Sequence, residues 1–380
     1  MLELLALLLP VAAASGWFAA YRHFSKTDSS QNYRIDQAYF QGMNHLLNEQ
    51  HDKAIDSFIK LLEVDSATVE IHFTLGKLYR RQGEVDRSIR IHQNLIARPS
   101  LNKAQRARAL FELGMDYVKA GLLDRAENLF EELSEEAVFK QSAQEQLLVI
   151  YQDEKEWQKA IGCVEYLKKN KKQDWKVPLS HFYCELALES FSKNNIERAS
   201  VCLNKALSID SDCIRADLLL ADFEFKSGEY QAALKSYQKA IEKDSSYLSE
   251  TLDPVMNCFE KLGLIDEQIR YLQENSLKYT EERVAFRYGK VIFRQDGAKK
   301  AFEFLMEKIS QKPSVNGLIE LLEVEDRLQS NISNNTSAIC RIAEELRQDR
   351  NYRCCECGFQ AKELHWQCPA CKRWAKMKQA

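Results

Sequence analysis

Residues 75–92 read LGKLYRRQGEVDRSIRIH, and the fold follows from this stretch. A small residue, Gly76, is followed by a turn glycine, Gly83. Ser88 comes twelve positions after Gly76, and the larger His92 four positions later. The same spacing recurs along the chain. The first position falls at Gly42, Gly76, Gly114, Leu148, Ala187, Ala221, Met256 and Gly289, at intervals of 34, 38, 34, 39, 34, 35 and 33. The second falls at Ala54, Ser88, Ala126, Ala160, Ala199, Ala233, Gln268 and Ala301. The third is held by Phe58, His92, Phe130, Val164, Leu203, Tyr237, Leu272 and Leu305. A 34-residue phase kept over so long a stretch marks a solenoid of helix pairs, because an unrelated bundle has no reason to hold one.

This is the tetratricopeptide pattern. Small residues let helices A and B of a pair approach closely, and the larger residue is expected to fill the gap to the next repeat. Leu113-Gly114 with Tyr117 and Gly121 is a clear copy, as is the run Gly228 to Leu234 followed by Tyr237 and Ala240. Gly83, Gly121, Gly228 and Gly263 supply the left-handed backbone that a tight A-to-B turn needs. The two longer intervals place insertions near Pro99-Ser100 and near Asn170-Lys171-Lys172. Beyond about Pro313 the phase weakens, although residues 314–349 still read as helical, with a break at 330–335. Only 13 Gly and 6 Pro occur in 380 residues, which favours helices over a turn-rich β protein. Charge is balanced, with 53 Lys and Arg against 56 Asp and Glu, so nucleic acid is not an expected partner.

The N-terminus is apolar from Leu4 to Ala20 and long enough, as a helix, to match the hydrocarbon core of a bilayer. Trp17 and Tyr21 sit where interfacial aromatics belong, followed by Arg22 and Lys26. The chain begins Met1-Leu2-Glu3, without the basic start of a cleaved leader, so an uncleaved single-pass anchor is expected, with the bulk of the chain on the cytoplasmic side.

The C-terminus carries Cys354-Cys355-Glu356-Cys357-Gly358, ten residues, then Cys368-Pro369-Ala370-Cys371. Paired C-x2-C units let two knuckles chelate one ion while turned backbone amides donate to the sulfurs. Gly358 and Pro369 match rubredoxin-type knuckles. The expected ligands are Cys354, Cys357, Cys368 and Cys371, holding one iron or zinc ion, since both accept tetrahedral sulfur. Cys355 falls between ligands. Fewer than 30 residues cannot build a core, so the metal is expected to hold this segment together. Tyr352, Phe359, Trp366 and Trp374 are then free to pack on the last solenoid helices. The other cysteines (Cys163, Cys184, Cys202, Cys213, Cys258 and Cys340) read as small buried apolar residues.

No phosphate loop, dinucleotide fingerprint or zinc-protease motif is present, and the seven histidines are dispersed. The chain therefore reads as a binding protein and not an enzyme. Its helix A residues are expected to line a groove through Tyr39, Phe73, Lys77, Arg80, Arg81, Arg108, Phe111, Arg215, Phe225 and Lys226, a mix suited to an acidic or amphipathic partner.

The fold class is thus an all-α tetratricopeptide-repeat superhelical solenoid with an N-terminal transmembrane helix and a small rubredoxin-like metal knuckle. The divisions are an anchor at 1–21, a linker at 22–34, about eight repeats over 35–313, further helices at 314–349 and the metal-binding domain at 350–380. This arrangement resembles the lipopolysaccharide assembly protein B (LapB) family. The likeness is carried by Met1-Leu2-Glu3-Leu4-Leu5, the Leu7 to Ala14 run, Gly83-Glu84-Val85-Asp86-Arg87, Ile89 to Gln93, His181 to Leu188, Tyr352-Arg353-Cys354, Cys357-Gly358-Phe359, Trp366, Cys368-Pro369 and Cys371. The resemblance implies an inner-membrane adaptor that promotes degradation of the LpxC deacetylase by the FtsH protease, with the four family ligands on the cysteines named above. Cys355 departs from the family pattern. A homodimer is compatible with exposed solenoid ends. The alternative reading is a metal- or redox-sensing repeat scaffold for another membrane-associated assembly. An electron-transfer component has less support, having no flavin or haem partner in the sequence.

Overall fold

A computed structural model describes residues 14–18, 40–50, 53–55, 57–58, 69–99, 101–168, 174–279, 281–328 and 352–379. They belong to two compact units, Met1–Glu156 and Trp157–Ala380. Residues 14–18 of the expected anchor are helical. The rest of the anchor, the linker 22–34, Tyr39, Cys340 and residues 329–349 lie outside the described residues. Among the described residues, no helix is long and apolar enough to cross a membrane.

In the first unit, residues 40–47 are helical. There follow α1 (Val69–Gln82), α2 (Val85–Ile96), α3 (Lys103–Ala120), α4 (Leu123–Ser134) and α5 (Lys140–Asp153). The second unit holds α6 (Trp157–Leu167), α7 (Lys176–Ser192), α8 (Ile196–Ile209), α9 (Ile214–Lys226), α10 (Tyr230–Lys243), α11 (Leu248–Leu262), α12 (Ile265–Lys278), α13 (Glu282–Asp296), α14 (Ala298–Gln311) and α15 (Val315–Leu328). The insertion read near Pro99 ends in a capping box that starts α3. Asn102 accepts from the Gln105 N–H at 2.8 Å, and the Asn102 N–H donates to Gln105 Oε1 at 3.1 Å.

Seven residues beyond each of the first seven first-position residues, the backbone turns left-handed. Glu49, Gly83, Gly121, Lys155, Asn194, Gly228 and Gly263 all have φ between 58 and 86°. The four glycines announce these turns. Glu49, Lys155 and Asn194 adopt the same angle at a cost of about 1 kcal/mol each, so the repeat imposes the turn even where the residue resists it.

The paired small and large positions meet within one helix pair. A Cβ added to Gly42 would lie 2.7 Å from the Phe58 ring, and one on Gly76 would lie 2.5 Å from the His92 imidazole. One on Gly114 would lie 2.8 Å from Phe130, and one on Gly289 would lie 2.9 Å from Leu305. The larger residue thus seats on the bare backbone of its own repeat, where the sequence reading had it filling the gap to the next. Gly114→Val is accordingly expected to destabilise the first unit by about 1–3 kcal/mol through overpacking, read as a lowered thermal midpoint. An unchanged midpoint would mean that Phe130 is not confined.

Polar side chains are also built into the first unit. Asp116 on α3 is fully buried. One of its oxygens accepts from Ser88 and from Arg80, each at 2.7 Å, and the other accepts from His92 Nδ1 at 2.5 Å. One turn earlier, Glu112 takes Lys77 at 2.8 Å and Arg80 at 2.7 Å. Burial works to raise the Glu112 carboxyl, but the hydrogen bonds from Lys77 and Arg80 outweigh it and hold the group below the usual carboxylate range.

In the second unit, helix B of one repeat and helix A of the next share cores. Tyr237 and Leu234 pack with Leu248, Leu252 and Met256, and Leu305 packs with Phe286, Leu321 and Val324. The unit ends in a small antiparallel sheet ordered β2-β1-β3, from β1 (Tyr352–Cys354), β2 (Gln360–Ala361) and β3 (Met377–Gln379). The all-α expectation is corrected here. Tight knuckles need extended strands to reverse between them, which a helix cannot supply.

Candidate metal centre and its platform on the repeats

Strand β1 delivers Cys354 into the first knuckle. The chain then turns so that the Gly358 N–H donates to the Cys354 carbonyl at 3.0 Å, and the Cys354 N–H donates to Phe359 at 2.8 Å. The second knuckle repeats this geometry. The Lys372 N–H donates to the Cys368 carbonyl at 2.8 Å, and the Cys368 N–H donates to Arg373 at 2.9 Å. Gly358 has φ 77°, and Lys372, at the equivalent place, has φ 57°. The second knuckle therefore holds a non-glycine residue in the left-handed region, a strain the metal-bound form must sustain.

The ligand atoms of Cys354, Cys357, Cys368 and Cys371 all lie within 4.8 Å of one another. Cys354 and Cys371 sulfurs are 3.7 Å apart, and those of Cys357 and Cys368 are 3.6 Å apart. A tetrahedron of sulfurs at about 2.3 Å from one ion has edges of about 3.8 Å, so the four cysteines fit a single metal. The backbone N–H groups of Cys357 and Glu356 favour the Cys354 thiolate, which is pushed down to about 6. Cys357 has the Phe359 N–H in its favour, yet desolvation and bonding to its neighbours push it up to about 12. Four thiolates so close together need a cation. Cys354 and Cys368 are buried and Cys357 is exposed, so the centre opens on one edge. Cys355 is exposed and takes no place in the cluster; its N–H donates to the Lys376 carbonyl at 2.9 Å. Glu356 pairs with Arg373 at 2.8 Å and Lys376 at 3.5 Å beside the first knuckle.

Behind the centre, the ribbon rests on helices in the middle of the second unit. The sequence reading placed it on the last helices. Trp374 stacks on His181 of α7 at 5.0 Å between ring centres, with its edge to Trp157 at 6.1 Å and Phe182 at 5.9 Å. Trp366 stacks on Tyr247 at 5.5 Å, with planes 6° apart. The Tyr352 hydroxyl donates to Glu250 on α11, and Arg215 of α9 sits 5.7 and 5.8 Å from the Trp366 and Trp374 ring centres. Phe359 stays inside the ribbon's own core with Tyr352, Cys354, Cys368 and Met377. Burial first, then the neighbouring Arg215 cation, pushes His181 down to about 3, so a neutral imidazole faces the tryptophans.

The residues matching the ribbon and the repeats are found in known families. Residues 352–379 match the rubredoxin metal binding domain, and 72–105 and 184–247 match tetratricopeptide repeats. Over 381 residues the chain is 38% identical to lipopolysaccharide assembly protein B of Escherichia coli (strain K12), covering 100% of this chain and 98% of that protein. The chain belongs to the lipopolysaccharide assembly protein B family. The protein of that name from Haemophilus influenzae (strain Rd) is 36% identical over 389 residues, again covering 100% of this chain and 98% of the relative.

Within this family member, the residues read as a partner groove do not form one open row. Phe73 is fully buried, its face covered by Arg108 with the guanidinium 4.2 Å from the ring centre. Arg108 also pairs with Glu70 at 2.8 Å. Lys77 and Arg80 are taken up by Glu112 and Asp116. Phe111 packs between Phe130 and Phe139, at 5.5 and 5.6 Å. Arg215 is 6% exposed beneath the ribbon, and Phe225 packs on Tyr230 at 5.2 Å. Arg81 and Lys226 are exposed, the latter over the Phe191 ring. The projection is corrected at Phe73 and Arg215, because a helix A that packs on two neighbours buries part of the face that a single-pair register leaves open.

Sequence reasoning missed His181, Phe182, Trp157 and Tyr247 as the ribbon's platform. In α7 the six successive residues Leu179 to Cys184 are all buried, Ser180 and His181 among them. A helix apolar on more than one side is covered on more than one side.

Proposed function

We propose that this chain is a non-enzymatic adaptor of lipopolysaccharide assembly, held at the inner membrane by residues 1–21, that promotes proteolysis of the LpxC deacetylase by the FtsH protease. The observation that carries this reading is the full-length identity with lipopolysaccharide assembly protein B, which spans the apolar N-terminus, the repeats and the ribbon alike. Repeats supply binding surface and not chemistry. Anchoring substrate and protease to one membrane raises their effective concentration without demanding tight contacts. Cys354, Cys357, Cys368 and Cys371 would hold the ion, iron or zinc, which would supply a cross-link between the two knuckles. The chain's own residues, chiefly Trp366 and Trp374, seat the cross-linked ribbon on the repeats.

Deleting residues 1–21 is expected to leave the repeats folded, with the thermal midpoint unchanged, while LpxC accumulates in cells. A truncated protein that still lowers LpxC would remove the proximity argument. Purification of the full chain from membranes, followed by identification of co-purifying proteins, tests the partners directly.

The metal-sensing alternative draws on the exposed edge at Cys357 and the exposed Cys355 beside it. It requires bound iron with visible charge-transfer absorption, and partner affinity that follows its oxidation state. A colourless zinc protein would argue against it.

A further inference from the structure

We propose that the ribbon is a metal-held latch over a carboxylate- and aromatic-binding face of the repeats, and that loss of the ion uncovers this face while the helices stay folded.

Three observations lead here. The first is that the ribbon's own core is only Tyr352, Cys354, Cys368 and Met377 with a few partly buried neighbours, so without an ion nothing fixes Trp366 and Trp374 in their places. The second is the state of the donors beneath them. Arg215 and His181 are both more than nine-tenths buried, yet Arg215 Nε and Nη1 and His181 Nδ1 have no hydrogen-bond partner. Arg215 uses only Nη2, on Glu185 at 2.8 Å, and offers its plane to two indole rings. Three polar atoms are thus left idle beneath the ribbon, and its seat costs more than one whose buried donors are all paired. The third is the independence of the platform. Helices α7, α9 and α11 pack through Ala187, Leu203, Ala221, Leu248 and Leu252, none of which belongs to the ribbon.

With the ribbon gone, the face presents the Arg215 guanidinium, with Nε and Nη1 unpaired, together with the rings of Trp157, Phe182 and Tyr247 that Trp366 and Trp374 had covered. That chemistry selects a segment carrying a carboxylate beside an aromatic ring, with the carboxylate accepting from Nη1 or Nε of Arg215 while Nη2 stays on Glu185. In the latched state the tryptophans satisfy the aromatic half of this preference, and Nε and Nη1 take no carboxylate.

The test uses the full chain, metal-loaded or stripped by a chelator. Side-chain reactivity is located by mass spectrometry, using diethyl pyrocarbonate for histidine and phenylglyoxal for arginine. Stripping is expected to raise modification of His181 and Arg215 by about tenfold or more with helical content unchanged. His92, fully buried in the first unit, should stay protected. Trp374→Ala with metal retained should reproduce the increase. N-acetyltryptophan should then shield Arg215 in the stripped protein, whereas its amide, which lacks the carboxylate, should not. Continued protection of His181 after stripping, reactivity that appears only with loss of helix and exposure of His92, or a silent Trp374→Ala variant would each overturn the latch. Equal shielding by acid and amide, or none by either, would overturn the assignment of Arg215 as a carboxylate site.

Discussion

Asp116→Ala is expected to lower the unfolding free energy of the first unit by about 3–5 kcal/mol, the range for removing one partner from a buried ionic cluster. Asp116 is 0% exposed and accepts from Arg80, Ser88 and His92 together. Its removal leaves His92 Nδ1 without its acceptor and takes one acceptor each from Arg80, which keeps Glu112, and from Ser88, which keeps the Gly76 carbonyl; Arg80 lies on α1 and the other two on α2. His92 already has Nε2 without a partner, seated against Gly76, so it has nowhere else to turn. Denaturant unfolding of the variant against the parent measures the loss. A change under about 1 kcal/mol would mean that the cluster relaxes to water. The same cluster fixes an acid dependence. The Glu112 carboxyl lies below its unfolded value, so its contribution is complete above the ordinary carboxylate range and is lost as pH falls through the lowered folded value.

Cys368→Ser should abolish metal binding, whereas Cys355→Ser should leave it at one ion per chain. Cys368 is fully buried, with its sulfur 3.6 Å from that of Cys357, and Cys355 is exposed and outside the cluster. Structural tetrahedral thiolate sites release about 10–16 kcal/mol on binding, and a serine oxygen in place of a buried thiolate forfeits a large share of it. Elemental analysis of the purified variants reads the result. Loss of metal in Cys355→Ser would mean that the first knuckle uses Cys355, and retention by Cys368→Ser would mean that the second knuckle holds the ion without that thiolate. The visible spectrum of the parent decides between iron and zinc in the same preparation.

The repeat was legible because its signal is covalent spacing. The distances from Gly114 to Ala126 and Phe130 are set by helical geometry, and they survive any change of surface residue. The metal ligands were legible for the same reason, since four thiols at knuckle spacing have few other uses. Three features escaped. The turns at Lys155 and Asn194 carry no glycine, and only the neighbouring repeats reveal that the angle is required. Arg215 reads as a groove cation until the ribbon is placed over it, and nothing local to position 215 announces a partner at 366 or 374. The three strands of the ribbon are two or three residues long, too short for alternation to register.

The ribbon's seat on Glu250 through Tyr352 joins positions 102 residues apart. Ribosomes add about 5–20 residues per second, so the platform helices wait roughly 5–20 s in the nascent chain before their cover is made. During that interval the ring faces of Trp157, Phe182 and Tyr247 that the ribbon covers are without it. Synthesis therefore sets a window in which a chaperone, or a second nascent copy, competes for the aromatic face before the ribbon arrives to claim it.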